Sequence, residues 1–293
     1  MTFLRNPGVL TKLAAITAFS GLPGMAFADW ELNLPRGVTP YSHTVYDLHM
    51  LILWICTIIG IVVFGLMLYS IIKFRKSQGA QAAQWHESTT VEVAWTLVPF
   101  VILVAISVPA TKALIMMEDV SNSDMTIKVT GYQWKWHYQY IDEGIGFFST
   151  LAAPSNAARQ LNSGIDPNSV DNYLLEVDNH LVVPINKKIR FLTTAGDVIH
   201  AWWVPALGWK RDAIPGYINE SWATIEEPGV YRGQCAELCG KDHGFMPIVV
   251  EALPEAEYAA WVETMRAATQ QAEQAPLAAP ADAALELAAA EAR

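Results

Sequence analysis

Charge is scarce in this chain: 16% of its 293 residues are Asp, Glu, Lys or Arg. Basic charge is scarcest, with 19 Lys and Arg against 29 Asp and Glu and a formal net charge of −10. That balance argues against nucleic acid as a partner and favours a cationic one. Cysteine is also rare. Three cysteines are too few for a disulfide scaffold, and the chain has no Cys-x-x-Cys-His run for covalent attachment of haem. Apolar residues make up 52% of the chain instead. That much apolar character, in a chain longer than one compact domain needs, points to membrane segments.

The apolar residues fall into three runs. The first is short: Leu13 to Phe19 follows Arg5 and Lys12 and precedes Ala26-Phe27-Ala28. This is the layout of an export signal over residues 1–28, with the mature chain starting at Asp29. The second and third runs, about 48–74 and 93–117, are long enough to span a bilayer as helices. Pro99 and Pro109 interrupt the later one, and Lys112 near its end can snorkel to the interface. Cys56 reads as an inert residue of the first span. Lys73, Arg75 and Lys76 lie in the connection and place it in the cytoplasm, with both ends of the mature chain outside. Residues 29–119 thus form an N-terminal segment and a transmembrane hairpin.

Residues 120–253 change character. Short β-type runs such as Met-Thr-Ile-Lys-Val-Thr and Lys-Ile-Arg-Phe-Leu-Thr-Thr are separated by Pro, Gly and Asn. They predict a β-sandwich or barrel. Gly144 to Asn172, rich in Gly, Ser, Asn, Ala and Pro, reads as a long exposed loop. Residues 254–293 read as a short helix, roughly Glu255 to Thr269, followed by an Ala- and Pro-rich tail.

The chemistry concentrates in Cys235-Ala-Glu-Leu-Cys-Gly-Lys-Asp-His-Gly-Phe-Met246. Two thiols, an imidazole and a thioether within twelve residues make a soft donor set that favours copper over hard cations. Zinc would use the cysteines and histidine but has little use for Met246. A disulfide is the plain alternative in an exported domain. A single blue copper takes one cysteine, whereas two cysteines can bridge two coppers. A second histidine is then needed, and His200 in Asp-Val-Ile-His-Ala-Trp-Trp supplies it.

These motifs resemble subunit II of the haem–copper cytochrome c oxidases of the aa3 kind. The resemblance runs from about Tyr41 to about Leu253. It includes Val-Glu-Val-Ala-Trp-Thr-Leu-Val-Pro, Gly-Tyr-Gln-Trp-Lys-Trp, Asp-Val-Ile-His-Ala-Trp, Asp-Ala-Ile-Pro-Gly and the Cys235–Met246 run. It implies a two-helix hairpin followed by an all-β, Greek-key cupredoxin-like sandwich holding the dinuclear CuA centre. It implies electron transfer from cytochrome c to haem in subunit I, where oxygen is reduced to water with proton pumping. Haem is expected only in subunit I, and subunit III is a further expected partner. The location implied is a bacterial inner membrane, with the copper domain on the periplasmic side.

Carried over by position, the copper ligands are His200, Cys235, the Glu237 carbonyl, Cys239, His243 and Met246. The Glu237 side chain is expected to bind magnesium shared with subunit I. Trp136 matches the tryptophan through which electrons enter, as an exposed indole, and Trp134 reads as packing. Glu92 matches the glutamate at the mouth of a proton-uptake path. Asp142, Asp178 and Asp197 match acids that dock a basic cytochrome c. Gln139 and Gly196 stand where relatives often carry acids, and His180 where some have arginine.

The resemblance leaves rivals to weigh. A quinol oxidase subunit II shares the architecture but lacks these ligands. A membrane-anchored copper-binding assembly factor would not need Glu92 or Trp136. Nitrous-oxide reductase has a similar copper run, but this chain has no room for that enzyme's catalytic domain.

Overall fold

A computed structural model describes residues 33–84 and 86–274. The expected export signal and the final Ala-rich tail lie outside the described residues. Among the described residues, two long helices come first. Helix α1 is Pro40–Lys73 and helix α2 is Thr89–Glu118. Both are apolar enough to cross a membrane, and their central windows are unburied within the chain.

Helix α1 starts ahead of its apolar run because a polar device fixes its first turn. Thr39 Oγ1 accepts the Ser42 N–H at 2.9 Å, and Ser42 Oγ accepts the Thr39 N–H at 3.0 Å. This reciprocal cap, with Pro40 at the first helical position, satisfies donors the helix would otherwise leave open. Thr39 Oγ1 also donates to the Leu207 carbonyl at 3.0 Å, so the cap is tied to the β domain. At 1.5 Å per residue the 34 residues of α1 extend about 51 Å, well beyond a bilayer core of about 30 Å. The surplus includes the buried Tyr41 and Ser42 against the β domain. Helix α2 keeps Pro99 and Pro109 within its length. Its end is held by an ion pair of Glu118 with Arg211 at 2.6 Å and by Trp222 Nε1 donating to the Met116 carbonyl at 3.2 Å.

Among the described residues, ten strands follow in two five-stranded sheets. They are β1 (Met125–Tyr132), β2 (Lys135–Tyr140), β3 (Ile145–Ser149), β4 (Leu181–Pro184) and β5 (Ile189–Ala195). The rest are β6 (His200–Trp203), β7 (Lys210–Ala213), β8 (Asn219–Ala223), β9 (Gly229–Cys235) and β10 (Pro247–Leu253). One sheet has the order β3-β2-β1-β5-β8 and the other β4-β10-β9-β6-β7. Strand β5 shows why they pack. Ile189, Phe191, Thr193 and Ala195 point inward while the residues between them are less buried, as a half-buried strand requires. Phe191 of the first sheet stacks on Trp202 of the second, with ring centroids 5.4 Å apart. Trp209 closes the cluster at 5.1 Å from Trp202.

The stretch from Gly144 to Asn172 is a correction. It begins with strand β3, which pairs with β2 and buries Ile145 and Ser149. It continues into a short helix α3 (Ala153–Ala158) with Ser155 and Ala158 buried. Glycine and serine hid an edge strand, because β3 reads Ile-Gly-Phe-Phe-Ser without clean alternation. After β10, helix α4 (Glu255–Gln274) runs beyond the expected end near Thr269. Its Trp261 lies 5.3 Å from Tyr140 and 6.3 Å from Phe147, centroid to centroid.

Candidate metal centre

Three chain segments converge at one end of the sandwich. Cys235 is the last residue of β9, and Cys239 lies in the loop after it. His243 opens a one-turn 3-10 helix (His243–Phe245), and Met246 leads into β10. His200 is the first residue of β6, which pairs with β9 in the register Trp202↔Cys235. The Ala236 N–H donates to the Ala201 carbonyl at 3.0 Å and locks the His200 and Cys235 segments together.

This convergence gathers all the ligand types expected. Cys235 Sγ and Cys239 Sγ are 3.9 Å apart. A disulfide needs about 2.05 Å, and both thiols are free. His200 Nδ1 is 3.9 Å from Cys235 Sγ, and His243 Nδ1 is 3.5 Å from Cys239 Sγ. Met246 Sδ is 3.5 Å from Cys239 Sγ, and the Glu237 carbonyl oxygen is 3.4 Å from Cys235 Sγ. The donor atoms of His200, Cys235 and Cys239 all lie within 4.8 Å of one another. His200 and Met246 are 0% and 1% exposed. Two buried thiols, a buried thioether, the buried His200 imidazole, the half-buried His243 imidazole and the Glu237 carbonyl make a set that fits copper.

The electrostatics favour a cation here. Burial disfavours the Cys235 thiolate, but hydrogen bonds with His200, with the backbone at Glu237 and Ala201 and with His243 together outweigh it and lower the thiol below its usual value. Cys239 is raised, first by burial and then by the charge of Cys235 beside it. One proton therefore leaves readily and the second resists. A metal cation between the sulfurs removes that resistance.

His200 is oriented by Asp197. Its Nε2 lies 3.0 Å from Asp197 Oδ1, so Nε2 carries the proton and Nδ1 turns its lone pair toward Cys235. Burial works against the charged form of Asp197, but bonds from His200, the Gln133 N–H and the Val198 N–H lower its pKa. The same contacts with Cys235 and Asp197 raise His200, against the effect of burial. A Cβ on Gly131 would meet His200 Cδ2 at 2.8 Å, so only glycine lets β1 pass this close to the ring.

The turn between β1 and β2 also supports the ligand loops, which the sequence did not reveal. Gln133 Nε2 donates to the Cys239 carbonyl at 2.9 Å, and Trp134 Nε1 reaches the same oxygen at 3.3 Å. Here the tryptophan expectation needs correcting. Trp136 is not an exposed indole: it is fully buried, with Nε1 3.4 Å from the Met246 carbonyl and its ring edge-on to His200. Trp134, expected to be packing, is the partly exposed indole, under Lys241 at 5.6 Å.

The remaining expected residues lie apart from the metal cluster or serve the fold as well. Asp178 is exposed but accepts from the Thr150 N–H and hydroxyl at 2.7 and 2.8 Å. Asp142 is exposed and accepts the Thr126 N–H at 3.0 Å. Asp197 is committed to His200. Glu92 sits in the first turn of α2, where its carboxylate accepts the Ser88 N–H at 3.4 Å. The Glu237 side chain is exposed.

Comparison with known proteins gives the family. Residues 125–253 match the model for the cytochrome c oxidase subunit II periplasmic domain, and residues 28–113 match that for its transmembrane domain. The probable cytochrome c oxidase subunit 2 of Rickettsia bellii is 37% identical over 284 residues, covering 95% of this chain and all of that one. The cytochrome c oxidase subunit 2 of Cereibacter sphaeroides is 37% identical over 256 residues, covering 85% of this chain and 84% of that one. Among solved structures, the periplasmic domain of subunit II of cytochrome oxidase from Bradyrhizobium japonicum is 45% identical, with a TM-score of 0.44. It covers 50% of this chain and 96% of that one. With its two apolar helices, its β-sandwich and its copper-type donor cluster, the chain belongs to the cytochrome c oxidase subunit II family.

Proposed function

We propose that the chain receives electrons from reduced cytochrome c at a dinuclear copper centre and delivers them to haem in subunit I, where oxygen is reduced to water and protons are pumped. The observation that carries this reading is the pair of free thiols 3.9 Å apart, with two imidazoles, a thioether and a carbonyl around them. Copper at this site supplies a one-electron redox centre. Cys235 and Cys239 would bridge the two ions as thiolates, while His200 and His243 each hold one. Met246 and the Glu237 carbonyl would be the weak outer ligands.

The protein's part is to keep that set rigid. His200 starts a strand, Cys235 ends one, and Met246 leads into a third, so the loop that carries Cys239 and His243 is held at both ends by the sandwich. Fixed ligands move little when the charge on the metal changes, which keeps electron transfer fast. Trp134 takes the role of receiving electrons, because its indole is at the surface and bonded to the carbonyl of Cys239. Asp178 and Asp142 offer negative charge to a basic cytochrome c. The exposed Glu237 carboxylate is a hard ligand suited to magnesium at the boundary with subunit I. Glu92 would load protons at the opposite end of α2 from Glu118. The β domain would face the periplasm of a bacterial inner membrane, with Lys73, Arg75 and Lys76 on the cytoplasmic side. Subunit III completes the expected assembly.

A quinol oxidase subunit would have no use for the donor cluster. The test is oxygen uptake by the purified complex with reduced cytochrome c as donor. Uptake that disappears in Cys235→Ser supports the reading. Uptake with a quinol alone, indifferent to Cys235, refutes it.

A further inference from the structure

One short turn of helix carries two of the proposed ligands, and a single side chain grips both of its ends. His243 opens the 3-10 turn His243–Phe245, and Met246 follows it. Asp242 stands just before the turn, and the Phe245 N–H closes it on the Asp242 carbonyl at 2.9 Å. Arg159 reaches across from beyond helix α3 to both ends. Its Nη1 donates to Asp242 Oδ1 at 3.3 Å, and its guanidinium carbon lies 4.3 Å from the centre of the Phe245 ring. Its Nε donates to Asn156 Oδ1 at 2.7 Å, which sets the plane of the fork.

The chemistry requires arginine in particular. A planar guanidinium can stack on a ring and pair with a carboxylate at once, whereas an ammonium can do only the second. The Arg159 and Asp242 side chains are 21% and 18% exposed, so the pair is largely shielded from salt. The grip is anchored on its own side. The Arg159 N–H donates to the Ser155 carbonyl at 3.0 Å. The buried Ser155 hydroxyl accepts the Leu174 N–H at 3.1 Å. Leu151 bridges to Val177 just before α3. The segment read from sequence as loose surface is thus tied down at several points and carries the clamp.

We propose that Arg159 is a positioning residue for the metal centre. By holding Asp242 and Phe245, it keeps the His243 turn where His243 Nδ1 and Met246 Sδ each lie 3.5 Å from Cys239 Sγ. The proposal rests on the reading of His243 and Met246 as ligands.

The test uses the intact, copper-loaded oxidase complex carrying Arg159→Gln, Arg159→Lys or His243→Ala. Two quantities are followed: the rate of copper loss to bathocuproine disulfonate and the electron paramagnetic resonance spectrum of the oxidised centre. The expected result is copper loss about 10-fold faster or more in Arg159→Gln, with an altered hyperfine pattern. Arg159→Lys, which keeps the charge but loses the stacked fork, falls between Gln and the native chain. Native rates and spectrum in Arg159→Gln, with the spectrum lost in His243→Ala, overturn the proposal alone. A native spectrum in His243→Ala overturns the ligand reading beneath it. Should the Arg159 variants fail to assemble, Asp242→Asn and Phe245→Leu each remove half of the grip. Native behaviour in both overturns the proposal, and faster copper loss in both supports it.

Discussion

Asp197 Oδ1 lies 3.0 Å from His200 Nε2, and that contact decides which nitrogen of His200 faces the thiols. The carboxylate is itself pinned by N–H groups of Gln133 at 2.7 Å and Val198 at 2.6 Å. An acid that reads from sequence as a docking charge is therefore part of the metal site's support.

Asp197→Ala should weaken copper binding by about 10- to 100-fold, the usual cost of losing the group that orients a ligating histidine. Asp197→Asn keeps one acceptor oxygen, which can serve the Val198 N–H and His200 but not the Gln133 N–H on the other oxygen, and should lose less than Ala. Competition with a chelator of known affinity checks both. A docking acid would instead change the salt dependence of cytochrome c oxidation and leave copper affinity alone.

Trp134 and Trp136 should separate cleanly. Trp134→Phe is expected to slow electron transfer from cytochrome c far more than it shifts the melting temperature or the copper spectrum, because Gln133 still donates to the Cys239 carbonyl. Trp136→Ala empties a fully buried site and should cost about 3–5 kcal/mol of stability. Stopped-flow reduction and thermal melting distinguish the two. A slow reduction in Trp136→Phe, with Trp134→Phe native, would reverse the assignment.

Sequence could not make that distinction. Trp134 and Trp136 are two residues apart, a spacing that places both on one face of a strand. But Trp134 lies in the turn before β2, outside the strand, and so faces elsewhere. The proposed ligands were legible as a donor cluster because five of them crowd into one run and copper chemistry calls for those donors. His200 was legible from its motif. The supports were not. Gln133, Asp197 and Arg159 are ordinary polar residues until the fold brings them beside Cys239, His200 and Asp242. The strand β3 was hidden because Ile-Gly-Phe-Phe-Ser, at the sheet edge, lacks the alternation that marks a half-buried strand.

Gly131→Ala should disturb the centre from beneath. The added methyl would sit 2.8 Å from His200 Cδ2, so the ring or the strand must move. A loss of about 1–3 kcal/mol in stability is expected from such overpacking, together with a changed copper spectrum. Calorimetry and absorption spectroscopy on one sample test both, and native stability with a native spectrum would contradict the close packing of Gly131 on His200.

A second polar cluster predicts a pH dependence. Glu176 accepts from Arg232 at 2.6 Å and lies 2.9 Å from His180, whose other nitrogen is 2.8 Å from Glu251. Burial opposes the Glu176 charge, but the Arg232 and His180 bonds prevail and hold its carboxyl below the usual value. A depressed folded pKa contributes stability above the unfolded value, about 4.3, and loses it as pH falls through the folded one. Glu176→Gln should therefore melt below the native chain at neutral pH, with the gap closing on acidification below about 4. A gap that stays constant between neutral pH and pH 3 would contradict the charge-based account.

The central claim is that Cys235 and Cys239 jointly hold two coppers. The direct measurement is copper content and electron paramagnetic resonance of the β domain, expressed from Ser123 onward and loaded with copper. The account predicts two coppers per chain, one unpaired electron shared equally between them, and loss of that signal in Cys235→Ser. One copper per chain with the spectrum of a single ion, or a Cys235–Cys239 disulfide in the loaded protein, would contradict it.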